Sequence, residues 1–520
     1  MPKPMNRHGN DKVFARWCAM ATVGFLLVIT IGDALAQEGA ETSAAEVPDL
    51  EHSEVVEVEE TNHPALEEAI GAILSDGELQ RTTIGIHVED LASGEVLYSR
   101  NGDELMNPAS NVKLVTAAVV LHTLGPQHTF STELSTRQNS QGRIDNLYVK
   151  GEGEAFLLFK DVLSWAADLR LQGIETIDGD LVIDDGAFEE AYLPPGFEMR
   201  DVDASYRSPI GAVSINFNAV SITVEPADQI GGEPNIKISP PNDYITVENR
   251  ANTTSGSLPR VNVSALPQEG GTRVVVTGSI GVGADPITQR KRIDDPPAFA
   301  GAVVAEAMKM MGIGFEGSVR RGRAPENGDR LLTHESEPVA NTVAAMNKWS
   351  NNFIAEQLLR VLGGLDDQAS TWDQARLRVQ EALDHHGIAN GTYSLINGSG
   401  LYDGNELSPR QIVHLLRVMK SHQYGPEFVA SLPIAGVDGT LRHRLGGDET
   451  KERMRAKTGT LRDVTALSGY SETASGRTVA YSIIFNDPPR RAWNFRSHQD
   501  SIARAIAGFD GGESLSAETD

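Results

Sequence analysis

Pro108-Ala109-Ser110-Asn111-Val112-Lys113, "PASNVK", runs directly into "LVTAAVVLHTLG" (114–125). The second stretch predicts a helix that is apolar on most sides and stopped at Gly125, so it is buried on most faces. The first stretch puts a serine and a lysine at i and i+3 at the head of that helix. Their side chains then share one face, with Cβ atoms about 5–6 Å apart. A free serine is a poor nucleophile and needs a base. A lysine desolvated at a buried helix start has its pKa pushed down and can serve as one. The positive helix end adds partial charge beside a developing alkoxide. Read alone, however, the pair is better read as a helix cap beside a surface lysine. With twelve lysines in the chain, about one S-x-x-K arises by chance.

Around this helix the chain divides by texture. Leu66, Ile70, Ile73 and Leu74 share a helical face, and "TTIGIHVEDLASGEVLYSRN" (82–101) reads as two strands around Ala92-Ser93-Gly94. From about 128 to 332, short β-type runs such as "LYVKG", "VSITVEP" and "TRVVVTGSI" alternate with Gly- and Pro-rich turns. Helical texture returns at "NTVAAMNKWSNNFIAEQLLRVLGGL" (341–365). A closing block of three strand-like runs, "MRAKTGTL", "TALSGYSE" and "RTVAYSIIFND", ends in the helix "FRSHQDSIARAIAGF" (495–509). The simplest arrangement is one α/β domain made from both chain ends, with the β-rich middle inserted into it.

Two further motifs fall in the outer parts. Lys457-Thr458-Gly459, followed by Thr460, sits in the first closing strand. A cation and two hydroxyls on a strand edge can grip a carboxylate, and a glycine there lets a substrate backbone lie close. Ser350-Asn351-Asn352 offers a hydroxyl to relay a proton and an amide to hold a peptide. Ser214-Ile215-Asn216 has the same S-x-N form but lies in the β-rich part, so Ser350 is preferred.

The order S-x-x-K, S-x-N, K-T-G is the motif set of penicillin-binding proteins and class A β-lactamases. With Ser350 lying 240 positions after Ser110, the chain resembles the class C low-molecular-mass penicillin-binding proteins, the D-Ala-D-Ala carboxypeptidase/endopeptidase family. "GDLVIDDGAF", "YRSPIGAVSINFNAVSITVEP", "MNKWSNNFIAEQLLR", "INGSGL" and "SLPIAGVDGTLRHRL" carry the likeness from about 63 to 508.

The resemblance implies an α/β (α+β) penicillin-binding/β-lactamase-like transpeptidase domain with a large β-rich insertion. The expected boundaries are 63–127 and 333–509 for the catalytic domain, 128–211 and 289–332 for inserted domain II, and 212–288 for inserted domain III. It also implies roles. Ser110 is the acylated nucleophile, Lys113 its base and Ser350 the proton relay. Asn352 orients the peptide. Lys457, Thr458, Gly459 and Thr460 line the carboxylate site, and the Ser110 and Thr460 N–H groups form the oxyanion hole. Asp184 and Phe188 are candidates for recognising the distal substrate. Peptidoglycan stem peptides and β-lactams are the implied ligands, no metal or organic cofactor is needed, and a homodimer is admitted.

The family's Asp-Gly-Ser-Gly-Leu-Ser-Arg reads Asn397-Gly398-Ser399-Gly400-Leu401-Tyr402-Asp403 here. In family members that arginine helps hold the side chain of the cross-linking diamino acid. Asp403 cannot attract a carboxylate, and Arg462 is the expected substitute. "KGEGEAFLLF" (150–159) also departs from the family pattern. Two other readings use the same residues: a β-lactamase or esterase on this catalytic domain, and a non-catalytic wall-binding protein. The lack of an E-x-x-L-N type motif disfavours the former, and the intact motifs disfavour the latter.

Composition bounds the setting. The net charge is −27 with no basic block, which excludes nucleic acid or anionic lipid as the main partner. Arg7, Lys12 and Arg16, the apolar run 18–32 and Ala34-Leu35-Ala36 read as a signal peptide over 1–36, so a periplasmic enzyme without a stable membrane anchor is expected. Removing that segment, with four Lys/Arg and two Asp/Glu, takes the charge from −27 to −29. It also removes Cys18, the single cysteine, and with it any disulfide or thiolate chemistry. Residues 37–62 and 510–520 read as an acidic linker and a disordered tail. Gly278-x-x-Gly281-x-Gly283 lacks a following helix, and His385-His386 reads as a solvated helix end.

Overall fold

The computed structural model describes residues 63–365 and 368–511. The expected signal segment, the linker and most of the expected tail lie outside the described residues.

A five-stranded antiparallel sheet joins the two chain ends. Its strands are β1 (Thr83–Asp90), β2 (Val96–Arg100), β3 (Met454–Thr460), β4 (Val464–Glu472) and β5 (Thr478–Asn486), in the spatial order β3-β4-β5-β1-β2. The join runs along the full length of β1, from Thr83 opposite Asn486 to Asp90 opposite Val479. Both faces are covered, so β5 is buried almost throughout, and its alternation sorts its side chains. Val479, Tyr481, Ile483 and Phe485 pack with α1 (Pro64–Leu74) and the C-terminal helix, here α8 (Arg496–Ala507). Ala480 and Ile484 face the helical layer on the other side.

That layer is built around α2 (Val112–Leu124), in which every residue from Val112 to Leu121 is buried. Gly125 ends it at φ 79°. Around it stand α3 (Val339–Trp349), α4 (Asn352–Leu362), α5 (Trp372–His385), α6 (Pro409–Ser421) and the short α7 (Gly425–Ser431).

The chain leaves after α2 and returns before α3 through a paired base. Ser131–Thr136 and Asp329–Glu335 are antiparallel neighbours, with Ser131 opposite Glu335. They are two strands of a second five-stranded sheet, flanked by the helices Phe159–Leu171 and Pro296–Met310. Beyond lie two three-stranded sheets. Ile287–Arg292 pairs with Ala219–Glu225 in one of them, so this sheet runs past the boundary expected at 288. All six residues of this strand are half-buried, a strand without the apolar alternation that would have marked it in the charged run "QRKR" (289–292).

Of His385-His386, His385 is exposed at its helix end as expected, and His386 departs from expectation. His386 is buried, with the rings of His122 and His385 at 4.7 and 5.3 Å. Burial and the neighbouring imidazoles push its pKa down to about 4. Among the described residues no three His, Cys, Asp or Glu side chains form a metal-binding group.

Candidate active site

The nucleophile candidate sits on a tight turn before α2. Ala109 adopts φ 46°, a left-handed conformation that is strained for a residue with a Cβ. The turn is held from two sides by glycines. A Cβ on Gly459 would lie 2.8 Å from Pro108 O, and one on Gly400 would lie 1.9 Å from Ala109 O. Gly459 therefore makes room for the Ser110 turn; this corrects its expected place on the substrate side. From below, Asn111 Nδ2 donates to Ser468 Oγ at 2.6 Å, and Ser468 Oγ donates to Ser482 Oγ at 2.9 Å. All three are buried.

Lys113 is fully buried. Its Nζ lies 2.7 Å from Asn352 Oδ1, 2.7 Å from Ser399 O and 3.1 Å from Ser110 Oγ. Burial drives its pKa down to about 7, against an opposing pull from Glu356. A neutral amine has two N–H groups and one lone pair. Donating to Asn352 and Ser399 uses both N–H groups and leaves the lone pair for the Ser110 hydroxyl.

Ser350-Asn351-Asn352 forms the corner between α3 and α4. Ser350 ends α3 in the left-handed region at φ 54°. Asn351 Oδ1 accepts the Ile354 N–H and so caps α4. Asn352, in the first turn of α4, aims its Oδ1 at Lys113 and donates through Nδ2 to Tyr206 O at 3.1 Å. Across the site, Lys457 Nζ donates to Ser350 Oγ at 2.8 Å and to Thr458 O at 2.7 Å. Lys457 is also fully buried, and burial together with the nearby Lys113 charge holds its pKa well below the usual lysine range.

β3 is the sheet's edge strand. Ala456 N–H reaches outward to Pro433 O, whereas Leu461 N–H turns inward to Val464 O. By alternation, the N–H groups of Thr458 and Thr460 point away from β4. Arg496 donates to Thr460 Oγ1 at 2.9 Å, and Thr458 Oγ1 donates to Thr440 Oγ1 at 2.8 Å. Two hydroxyls, the Lys457 amine, the Arg496 guanidinium and outward N–H groups thus converge beside Ser110, a set suited to an extended peptide that ends in a carboxylate.

The weaker sequence candidates are placed differently. Asp184 caps a turn, accepting from Gly186 N at 3.0 Å and Ala324 N at 2.8 Å. Phe188 packs in the main core, with the Arg360 guanidinium 5.6 Å from its ring centroid. Both make structural contacts here. Arg462 is 70 % exposed in the β3–β4 turn, 3.8 Å from Asp463. Asp403 Oδ1 accepts from Asn107 Nδ2 at 3.4 Å. The second S-x-N is structural: Ser214 Oγ donates to Gly211 O, and Asn216 Oδ1 accepts the Phe159 N–H that opens a helix.

Three contributors escaped the sequence reading: Glu356, Ser399 and Arg496. Glu356 carried a signal. It follows Asn352 by one helical turn, on the face aimed at Lys113, directly after the apolar Phe353-Ile354-Ala355. Ser399 acts through its backbone oxygen, to which no side-chain pattern points.

Residues 66–507 match the family model described as D-Ala-D-Ala carboxypeptidase 3 (S13). The chain is 34 % identical over 464 residues to a D-alanyl-D-alanine carboxypeptidase of Actinomadura sp. (strain R39), covering 86 % of this chain and 85 % of that one. Penicillin binding protein 4 (dacB) from Haemophilus influenzae superposes with a TM-score of 0.73 at 26 % identity, over 84 % of this chain and 97 % of that one. The same protein complexed with a β-lactam gives a TM-score of 0.68 at 25 % identity, over 84 % and 98 % of the two chains.

Proposed function

Because the chain belongs to the D-Ala-D-Ala carboxypeptidase 3 (S13) family, we propose that its serine D-Ala-D-Ala carboxypeptidase/endopeptidase activity runs through an acyl-enzyme on Ser110. The observation that carries this reading is the environment of Lys113: fully buried, with Ser110 Oγ and two fixed acceptors around one amine.

The neutral Lys113 takes the Ser110 proton as Oγ attacks the carbonyl between the two D-alanines. The outward N–H of Thr460 and the N–H of Ser110 receive the developing oxyanion, where loss of one donor typically costs about 10²–10³ in rate. Ser350, hydrogen-bonded to Lys457, hands its proton to the departing D-alanine amine and is reprotonated by Lys113, which thereby returns to its neutral form. Lys457, Thr458 and Thr460 bind the terminal carboxylate, with Arg496 behind Thr460. Asn352 holds the peptide. Water then attacks the acyl carbonyl, with Lys113 again as base. A β-lactam enters the same path and acylates Ser110.

The substrate is a peptidoglycan stem peptide, and the setting is the periplasm. The basic-then-apolar stretch over 1–36 supports export. Among the described residues, no helix is long and apolar enough to cross a membrane.

Incubation with a D-Ala-D-Ala pentapeptide, followed by assay of free D-alanine, tests the reading. Wild type releases D-alanine and Ser110→Ala does not; equal release by both would overturn it.

A further inference from the structure

α4 carries a second residue aimed at the catalytic lysine. Glu356 is fully buried. Its Oε1 accepts the Ser399 N–H at 2.8 Å and its Oε2 accepts the Gly398 N–H at 3.1 Å. Burial pushes its pKa up, and the N–H groups of Ser399 and Gly398 together with the Lys113 charge oppose that rise by favouring the ionised form. The turn it grips also receives Thr116 Oγ1 at Gly398 O, 2.7 Å. That turn touches the nucleophile's turn through Gly400, which is at φ 73°. From it, Ser399 O takes one N–H of Lys113. The other N–H goes to Asn352, one helical turn before Glu356.

We propose that Glu356 is a positioning residue for the acylation step. By clamping the 398–399 backbone it fixes the acceptor that, with Asn352, aims the Lys113 lone pair at Ser110. It also supplies a negative charge to a site that buries two lysines. The charged groups facing this pocket come from three elements: Lys113 on α2, Glu356 on α4 and Lys457 on β3. Ser110, Asn352 and Ser399 complete the shell around Lys113 as neutral groups.

Two consequences can be separated. Glu356→Gln keeps the shape but sets an amide N–H against a backbone N–H, so the clamp opens. It also removes the anion that favours protonated Lys113. A base displaced by about 1 Å costs on the order of 10²-fold in rate. Loss of the anion moves the acid limb of the acylation profile to lower pH. Thr116→Val loosens the same turn without changing charge, so it slows acylation and leaves the limb where it was.

The experiment measures acylation by a fluorescent penicillin from pH 5 to 9 for the full-length wild type, Glu356→Gln and Thr116→Val, with a melting curve for each. The inference rests on the Ser110 acyl-enzyme reading: a wild type that takes no label defeats that reading, whereas a labelled wild type isolates the role of Glu356. Slower labelling of Glu356→Gln with the limb at lower pH is the expected result. A folded Glu356→Gln with the wild-type rate, or a slower one with an unmoved limb, overturns the proposal. If that variant does not fold, Thr116→Val decides: a wild-type rate overturns the proposal, and a slower rate with an unmoved limb supports it.

Discussion

Around Ser110 the chain buries Lys113, Lys457 and Glu356; between 131 and 335 it buries Trp165, Phe299, Val220, Ile222 and Val276. The inserted region has exposed pairs such as Arg273–Glu248 and Lys237–Glu225, and the charges it does bury, Glu154, Asp184, Asp185 and Arg207, stand apart from Ser110 in the chain's middle. A buried ion costs several kcal/mol unless partners offset it, whereas exposed pairs contribute about 0–1 kcal/mol. The catalytic region thus accepts electrostatic cost to hold a neutral amine beside a hydroxyl, and the insertion is held by apolar packing. Substitutions in the two regions should therefore fail in different ways: activity without unfolding in the first, unfolding without altered chemistry in the second.

The largest effect falls on the nucleophile and its base. Ser110→Ala or Lys113→Ala should lower D-alanine release on the order of 10⁶-fold while the circular dichroism spectrum stays native. Next comes Lys457→Met, which removes the partner of Ser350 and an amine donor to the substrate carboxylate. Its kcat/KM should drop by about 10²–10³, read from steady-state D-alanine release. pH then sharpens the comparison. Lys113 acts as a base only when neutral, and its pKa is about 7. Acylation should therefore fall about tenfold per unit below pH 7 and level off above it. Activity lost by protonation in this way should return when the pH is raised.

In the insertion the order reverses. Phe299→Ala should cost about 3–5 kcal/mol in denaturant unfolding, yet leave the acylation rate per folded molecule unchanged. Arg273→Ala, at an exposed pair, should move stability by less than about 0.5 kcal/mol. A loss of chemistry from Phe299→Ala would break the comparison.

Much of this division was legible in the sequence. The apolar run 114–121 required a central helix, and the matching textures of the two ends required a shared domain. Ser110, Lys113, Ser350, Asn352 and Lys457 stand out by side-chain type and spacing, and the structure brings them together. What escaped acts through backbone or through space. Gly459 serves the Ser110 turn because Pro108 presses on it, a contact across about 350 residues of chain. Ser399 contributes a carbonyl oxygen. Asp184 and Phe188 lie inside the family-like stretch "GDLVIDDGAF", and their hydrogen bonds and core packing depend on residues distant in sequence. His386 looked solvated because its partners, His122 and His422, are far off in sequence.

The central claim is that Ser110 is the atom acylated, with Lys113 as its base. Peptide mapping by mass spectrometry after brief reaction with penicillin tests it most directly. The account predicts one adduct, on the peptide bearing Ser110, absent from Ser110→Ala and slow to form in Lys113→Ala. An adduct on any other residue, or one formed at the wild-type rate in Ser110→Ala, would contradict it.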